Sequence, residues 1–195
     1  LTMVAVDGFR LALRKEPILE KNGNFEFVVP GASLSEVEKI CRETDDPVDV
    51  HQGARHVLFK MGDTILIARR LEGEFLAYKN AIPRNNTIKI EGGARTLLQS
   101  IERVSLIISD KLKSPLRCVF GDGMLSITTK TGIGDAADQC PITGDGQGLE
   151  IGFNNKYLMD ALKAAPADRL RLEFTSGVAP CVILPAEGEE NFVYM

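Results

Sequence analysis

Histidine is scarce in this chain: its 195 residues include two, His51 and His56. Neither belongs to a recognisable nucleophile motif, and no Ser or Cys carries one, so the acid–base inventory of a hydrolase is missing. His56, beside Arg55, reads as a surface residue of a hairpin. Cysteine is sparse as well. Cys41, Cys118, Cys140 and Cys181 lie far apart and form no C-x-x-C pair. That excludes a disulfide frame or zinc site of usual spacing and leaves reduced, half-buried thiols, as in a cytoplasmic protein. No apolar run approaches the ~20 residues of a membrane span. The opening Leu1–Asp7 has neither a basic stretch nor a small-residue cleavage site, which argues against a signal peptide. It reads as a strand already in progress, with no initiator Met ahead of it, as in a fragment. Gly132-Ile-Gly134 resembles half of a dinucleotide loop, but no helical pattern follows it. Asp45-Asp46 reads as a solvated helix-to-strand turn. No metal site and no cofactor are expected.

What is present is ordinary for a globular protein: 44% apolar and 26% charged residues, in a chain long enough for one large domain or two small ones. The formal net charge of −4 argues against a surface that binds nucleic acid everywhere. Charge is unevenly spread, however. Between Ala94 and Lys113 the bases Arg95, Arg103, Lys111 and Lys113 outnumber Glu102 and Asp110, whereas the last ten residues carry Glu187, Glu189 and Glu190 and no base. One surface is expected to attract phosphates while others repel them.

Short alternating runs bounded by Gly, Pro, Asn and Asp dominate, which is strand behaviour. Expected strands are Thr2–Asp7, Arg10–Lys15, Asn24–Val29, Val48–Gln52, Val57–Met61 and Thr64–Arg70. A second series comprises Thr87–Ile90, Leu116–Phe120, Met124–Lys130, Asp135–Pro141, Leu149–Phe153, Leu170–Phe174, Cys181–Leu184 and Asn191–Met195. Met61-Gly-Asp-Thr64 and Phe120-Gly-Asp-Gly-Met124 have tight-hairpin chemistry. Three stretches have helical period: Ser33–Cys41 with a Ser33/Glu36 capping box, Ala94–Ile107, and Asn155–Ala164 capped by Asn154 or Asn155. A β-α-β-β-β order recurs three times with a period of roughly 50 residues. One striped helix per four strands implies an α+β fold with helices on one face of antiparallel sheets. Leu71–Asn85 reads as a linker.

Several separated segments carry a family resemblance. Val4-Ala-Val-Asp-Gly-Phe-Arg-Leu-Ala12 resembles the V-A-T-D-G-H-R-L-A segment of the bacterial DNA polymerase sliding clamps. Glu72-Gly-Glu-Phe75 with Tyr78 is similar to their D-G-R-F-P-D-Y, and Ile82-Pro-Arg-Asn85 to L-P-x-N. Ile151-Gly-Phe-Asn154 with Tyr157 resembles I-G-F-N-x-x-Y, and Phe192–Met195 the start of Y-V-V-M-P-M-R-L. Order and spacing agree from end to end. Phe9 stands for His and Leu76 for Pro, and the family's closing P-M-R-L is absent after Met195, as expected of a piece that lacks the last few residues.

The resemblance implies the DNA-clamp fold, with residues 1–80 as the second half of a middle domain and 81–195 as most of a C-terminal domain. It implies no catalysis, but a processivity factor that encircles duplex DNA without reading sequence and tethers a polymerase. The partners implied are the polymerase catalytic subunit, the clamp loader, other proteins with clamp-binding motifs, and a second copy of the full-length chain.

A groove for short hydrophobic motifs is implied at Val6, Gly8, Phe9, Arg10, Leu11, Leu76, Asn80 and Ala81 on one side. Its other side is Asn154, Tyr157, Val178, Pro180, Val193, Tyr194 and Met195. Apolar walls would bury a peptide's Leu or Phe, while Arg10, Asn80 and Asn154 bond its backbone. Val6 and Leu11, in an alternating strand, are also candidate core residues. By family geometry Arg42, Arg95, Arg103, Lys156 and Lys163 face DNA phosphates, with plain solvated helix faces the alternative. Ile107 and Ile108 match a subunit contact. The alternative from another class is a β-rich hydrolase or transferase domain completed by residues ahead of Leu1. A third reading is a repeat-built interaction module with no DNA role.

Overall fold

A computed structural model describes residues 1–42, 45–109, 114–188 and 191–195. Lys111, Lys113 and Asp110 of the basic stretch, and Glu189 and Glu190 of the acidic one, lie outside the described residues. Strands β1 (Thr2–Val6) and β2 (Leu11–Lys15) form a hairpin, followed by helix α1 (Gly31–Cys41) and strands β3 (Val48–Gln52), β4 (His56–Met61) and β5 (Thr64–Arg69). A 3-10 turn at Tyr78–Asn80 leads to β6 (Ile88–Gly93), α2 (Ala94–Ser105), β7 (Leu116–Gly121), β8 (Met124–Thr131) and β9 (Gly134–Pro141). Then come β10 (Thr143–Gly144), β11 (Glu150–Phe153), α3 (Asn155–Ala164), β12 (Arg169–Phe174), β13 (Val182–Pro185) and β14 (Phe192–Tyr194).

The chain divides into two compact units, one of Leu1–Pro17 with Lys79–Met195 and one of Ile18–Tyr78. The expected division after residue 80 follows chain order. The compact units differ from it because β2 pairs antiparallel with β14, Leu13 opposite Val193, which draws the first hairpin into the larger unit.

The larger unit holds a seven-stranded sheet, β1-β2-β14-β13-β12-β6-β10, and a four-stranded one, β11-β7-β8-β9. Two β-α-β-β-β repeats are thus intact, β6 to β9 and β11 to β14. Alternation along the strands sends one face of each inward: Leu116, Cys118 and Phe120 of β7, Leu125 and Ile127 of β8, Leu170, Leu172 and Phe174 of β12. Helix α2 adds Leu97, Ile101 and Val104, and α3 adds Leu158, Ala161 and Leu162, at the three- and four-residue spacing of one helical stripe. Phe120 and Phe174 meet ring to ring at 5.5 Å in this core. The β7–β8 turn needs positive φ at both central positions, and Asp122 (50°) and Gly123 (74°) supply it. Gly132-Ile133 is likewise a hairpin turn, joining β8 to β9.

The smaller unit is a three-stranded sheet, β3-β4-β5, with α1. Val57, Phe59, Met61 and Ala68 are buried, with Leu34, Val37, Ile40 and Cys41 of α1 packed half-buried against them. Two expectations fail here. Asn24–Val29 is not a strand. Its apolar residues Phe27 and Val29 pack onto the small core, and among the described residues its one backbone bond to the segment after β5 runs from the Leu71 N–H to the Val28 carbonyl at 2.8 Å, with no ladder. The Ser33/Glu36 capping box is also absent. The helix begins at Gly31 after Pro30 at the cap position, so Ser33 lies inside the first turn, where its own N–H donates to the Pro30 carbonyl at 3.0 Å.

Candidate functional site

The first hairpin turns at Asp7-Gly-Phe-Arg10, and a carboxylate organises the turn. Asp7 Oδ1 accepts the backbone N–H groups of Phe9 (2.8 Å) and Arg10 (3.1 Å). Asp7 Oδ2 accepts from Arg10 Nε at 2.9 Å. The Phe9 N–H and then the Arg10 guanidinium hold the Asp7 carboxyl below its ordinary value. Arg10 reaches onward. Its Nη1 donates to Asp160 Oδ2 on α3 at 2.7 Å and to the Tyr194 hydroxyl of β14 at 3.2 Å. The guanidinium carbon also lies 4.4 Å from the centre of the Tyr157 ring, a cation–π position. One side chain therefore fixes the hairpin tip to both α3 and β14. Asp160 first, then Asp7 and Tyr194, raise the Arg10 pKa, and burial pushes that of Tyr194 up despite the Arg10 bond.

The apolar positions differ in depth. Phe9 is 82% exposed and its ring lies 6.1 Å from that of Tyr157. Val6 is exposed as well, while Leu11, at 1%, belongs to the buried set together with Val193 and Tyr194. By strand register Leu11 and Val193 share the sheet face of Val6, with Tyr194 on the other face, and the Leu11 backbone is tied to Met195 by a reciprocal pair of bonds at 3.0 and 2.8 Å. Val178 is 99% exposed on a loop whose Gly177 fits tightly: a Cβ there would stand 2.1 Å from the Glu150 carbonyl oxygen. Pro180, Gly8, Asn80 and Ala81 are exposed, and Met195 is half-buried. Asn154 is occupied as the α3 cap, its Oδ1 accepting from Lys156 N (3.0 Å) and Tyr157 N (3.3 Å). Leu76 lies in the smaller unit and is exposed there. Sequence reasoning missed Asp7 and Asp160, the two carboxylates that hold Arg10. The Asp-x-x-Arg spacing in the turn was the available signal for the first.

The basic positions have different surroundings. Arg103 donates to Asp138 at 2.7 Å and to Ser100 at 3.1 Å, and Lys163 pairs with Glu102 at 3.1 Å. Arg95, exposed and without an ion pair to another described residue, lines one shallow depression with Lys163, between the start of α2 and the end of α3. Lys156 is exposed on α3, and Arg42 pairs with Glu38 in the smaller unit. Of the hydrophobic pair after α2, Ile108 packs against the main core and Ile107 is half-buried. The neighbouring Leu106, which sequence reasoning passed over, is exposed. Among the described residues no group of three or more His, Cys, Asp or Glu could hold a metal ion, and no helix is long and apolar enough to cross a membrane.

Known proteins match along the whole chain. The sequence model of the DNA polymerase III beta subunit central domain matches residues 1–76, and that of its C-terminal domain residues 79–195. The beta sliding clamp of Halalkalibacterium halodurans is 30% identical over 98% of this chain and 52% of its own length. That of Staphylococcus aureus is 30% identical over 98% of this chain and 51% of its own. The chain thus spans about half the length of the curated relatives it matches. Among solved structures, the Thermotoga maritima DNA polymerase III beta subunit superposes with a TM-score of 0.86 at 28% identity, covering 99% of this chain and 52% of that one. A sliding clamp from Bartonella birtlesii, solved bound to griselimycin, gives 0.88 at 26% identity, with 99% and 52% covered. The fold is that of the clamps, and this chain belongs to the DNA polymerase III beta subunit family.

Proposed function

We propose that this chain is part of a sliding clamp, a processivity factor that encloses duplex DNA and tethers a polymerase to it. The observation that carries the reading is the match of two successive clamp domains, in order, along the whole chain. On this reading residues 1–80 are the second half of a middle domain and 81–195 most of a C-terminal domain. Retention by enclosure needs no base contacts, only basic side chains facing phosphates. Arg95, Lys163, Arg103 and Lys156 on the paired helices α2 and α3 are the candidates for that role, with Arg42 on α1 a further one. Ile107 and Ile108, with the exposed Leu106, are the proposed subunit contact of a full-length homodimer.

The surface of Val6, Phe9, Tyr157, Val178 and Pro180 is the proposed groove for short hydrophobic motifs of the polymerase catalytic subunit, the clamp loader and other clamp-binding proteins. Arg10 fixes its Phe9–Tyr157 side, and Leu11 and Val193 lie on the sheet face of Val6. A tethered polymerase re-engages its template at high effective concentration. The chain supplies no reacting group on this reading. The hydrolase or transferase alternative has nothing in the site geometry to favour it. Asp7 and Asp160 are both bound to Arg10, and the Asp7 carboxyl is held low, the reverse of what a general acid requires.

The test uses the full-length protein. Loaded onto nicked circular DNA it should remain bound in moderate salt, and it should run off once the circle is linearised. Equal loss from both templates rejects enclosure. Arg95→Glu combined with Arg103→Glu should weaken loading and lower its salt slope by about one unit per lost phosphate contact.

A further inference from the structure

We propose that the outward face of the β3-β4-β5 sheet docks an acidic, aliphatic segment of a partner protein. Strand register places three rows on this face. Asp49, Lys60 and Ile65 lie side by side, then His51, Leu58 and Ile67, then His56 opposite Arg69. Ile65 and Ile67 are 55% and 64% exposed, and Leu58 between the strands is half-buried. Lys60 and Arg69 are exposed at the corners of this aliphatic patch, and neither has an ion-pair partner among the described residues.

The outward face of the four-stranded sheet provides the contrast within the same molecule. There Arg117 pairs with Glu150 at 2.6 Å, Lys130 with Asp135 at 3.9 Å, and Gln139 donates to Ser126 at 3.1 Å. That face pairs its own charges, whereas the β3-β4-β5 face combines exposed aliphatics with two cations that have no ion pair among the described residues, Lys60 with the single carboxylate of Asp49 in register beside it. An occupant that buries Ile65, Ile67 and Leu58 must bring aliphatic side chains, and one that reaches Lys60 and Arg69 must bring carboxylates. Charge complementarity also argues against a second copy of the same face. A two-fold pairing would bring two further cations to the seam and only one further carboxylate, that of Asp49. Duplex DNA would meet the cations but leave the aliphatic centre with no apolar partner.

The experiment is a titration of the 195-residue chain, isotope-labelled for amide NMR, with a short synthetic peptide of alternating Glu and Leu. Two control peptides carry Lys for Glu or Ser for Leu. The expected result is amide shifts centred on Lys60, Ile65, Ile67 and Arg69 with the first peptide alone. Lys60→Glu and Ile67→Glu should each weaken it by about tenfold. Arg117→Gln, on the outward face of the four-stranded sheet, should leave the affinity unchanged. These side chains are exposed, and thermal melts verify that the variants fold. Equal binding of the lysine control, or shifts centred elsewhere, overturns the proposal. So does concentration-dependent dimerisation that Ile67→Glu abolishes, because the occupant is then a second copy. Binding of duplex DNA or of phosphatidylserine vesicles that Lys60→Glu abolishes, with no peptide binding, overturns it equally.

Discussion

Helix α1 and helix α2 each precede three consecutive antiparallel strands, yet they are buried very differently. Helix α2 buries Leu97, Ser100, Ile101 and Val104, whereas α1 buries none of its residues. The cause lies in what surrounds them. Helix α2 packs on β6, β8 and β9 and against α3, so its stripe is closed on several sides. Helix α1 meets β4 of a sheet whose fully buried set is Val57, Phe59, Met61 and Ala68. The smaller unit offers one helix and three strands, too little apolar surface to seal a stripe. Two repeats together make a closed core. The proposed groove is built in the unit that has that core, and its polar frame depends on it, since beyond its own turn Arg10 bonds to Asp160 of α3 and Tyr194 of β14, both fixed by packing.

Truncation tests this contrast with the largest effect. Phe120→Ala, at a side chain 1% exposed, should cost about 3–5 kcal/mol in urea melts. Val37→Ala on half-buried α1 should cost only about 1 kcal/mol. A larger loss from Val37→Ala would show that the smaller unit is packed as tightly as the larger. Thiol labelling sharpens the same comparison. Cys118, Cys140 and Cys181 are buried, and burial pushes the Cys118 thiol up to about 12, whereas Cys41 in the smaller unit is half-buried. A disulfide reagent under native conditions should modify Cys41 first, with the other three following only as the larger unit opens. Simultaneous modification of all four would mean that the two units open together.

A smaller effect concerns acid. Asp7 has its folded pKa lowered, so its contribution to stability is present above the ordinary carboxylate value of 3.8 and disappears as pH falls through the lower, folded value. Carbon-detected titration of the carboxyls should place Asp7 below that ordinary value. Arg10→Gln should raise its midpoint partway, because the Phe9 N–H, the larger influence, remains. No change in Arg10→Gln would mean that the Arg10 contact to Asp7 is absent in solution.

Much of the architecture was legible because local signals agreed with tertiary context. Val48–Gln52 and Asn155–Ala164 stand where alternation and the Asn154 cap put them. Asn24–Val29 alternates equally well but has no neighbouring backbone to pair with along its length, and a strand exists only as part of a ladder. Ser33 and Glu36 have the right spacing for a cap, yet Pro30 starts the helix earlier. Strand β10 is two residues long and ends in Gly144, too short for any periodicity to reveal. At the site, the resemblance identified a set of positions but not their depths. Leu11 and Phe9 are near neighbours on one hairpin, and one is buried while the other is exposed. That depth depends on how β2 pairs with β14, a partner more than a hundred residues away in the chain. The Arg10–Asp160 contact is invisible in sequence for the same reason.

The most direct test of the proposed groove is titration of a hydrophobic peptide of the Q-x-x-L-x-L-F kind into this chain, followed by amide NMR and calorimetry. Each buried Leu or Phe of the peptide should contribute roughly 1.5–3 kcal/mol. Shifts should centre on Phe9, Arg10, Tyr157 and Tyr194, and Tyr157→Ala should weaken binding at least about tenfold with the melting temperature nearly unchanged. Leu11→Asp is unsuitable as the probe, because it would place a charge in the core. Wild-type affinity in Tyr157→Ala, with shifts centred away from the Phe9–Tyr157 surface, would contradict the account.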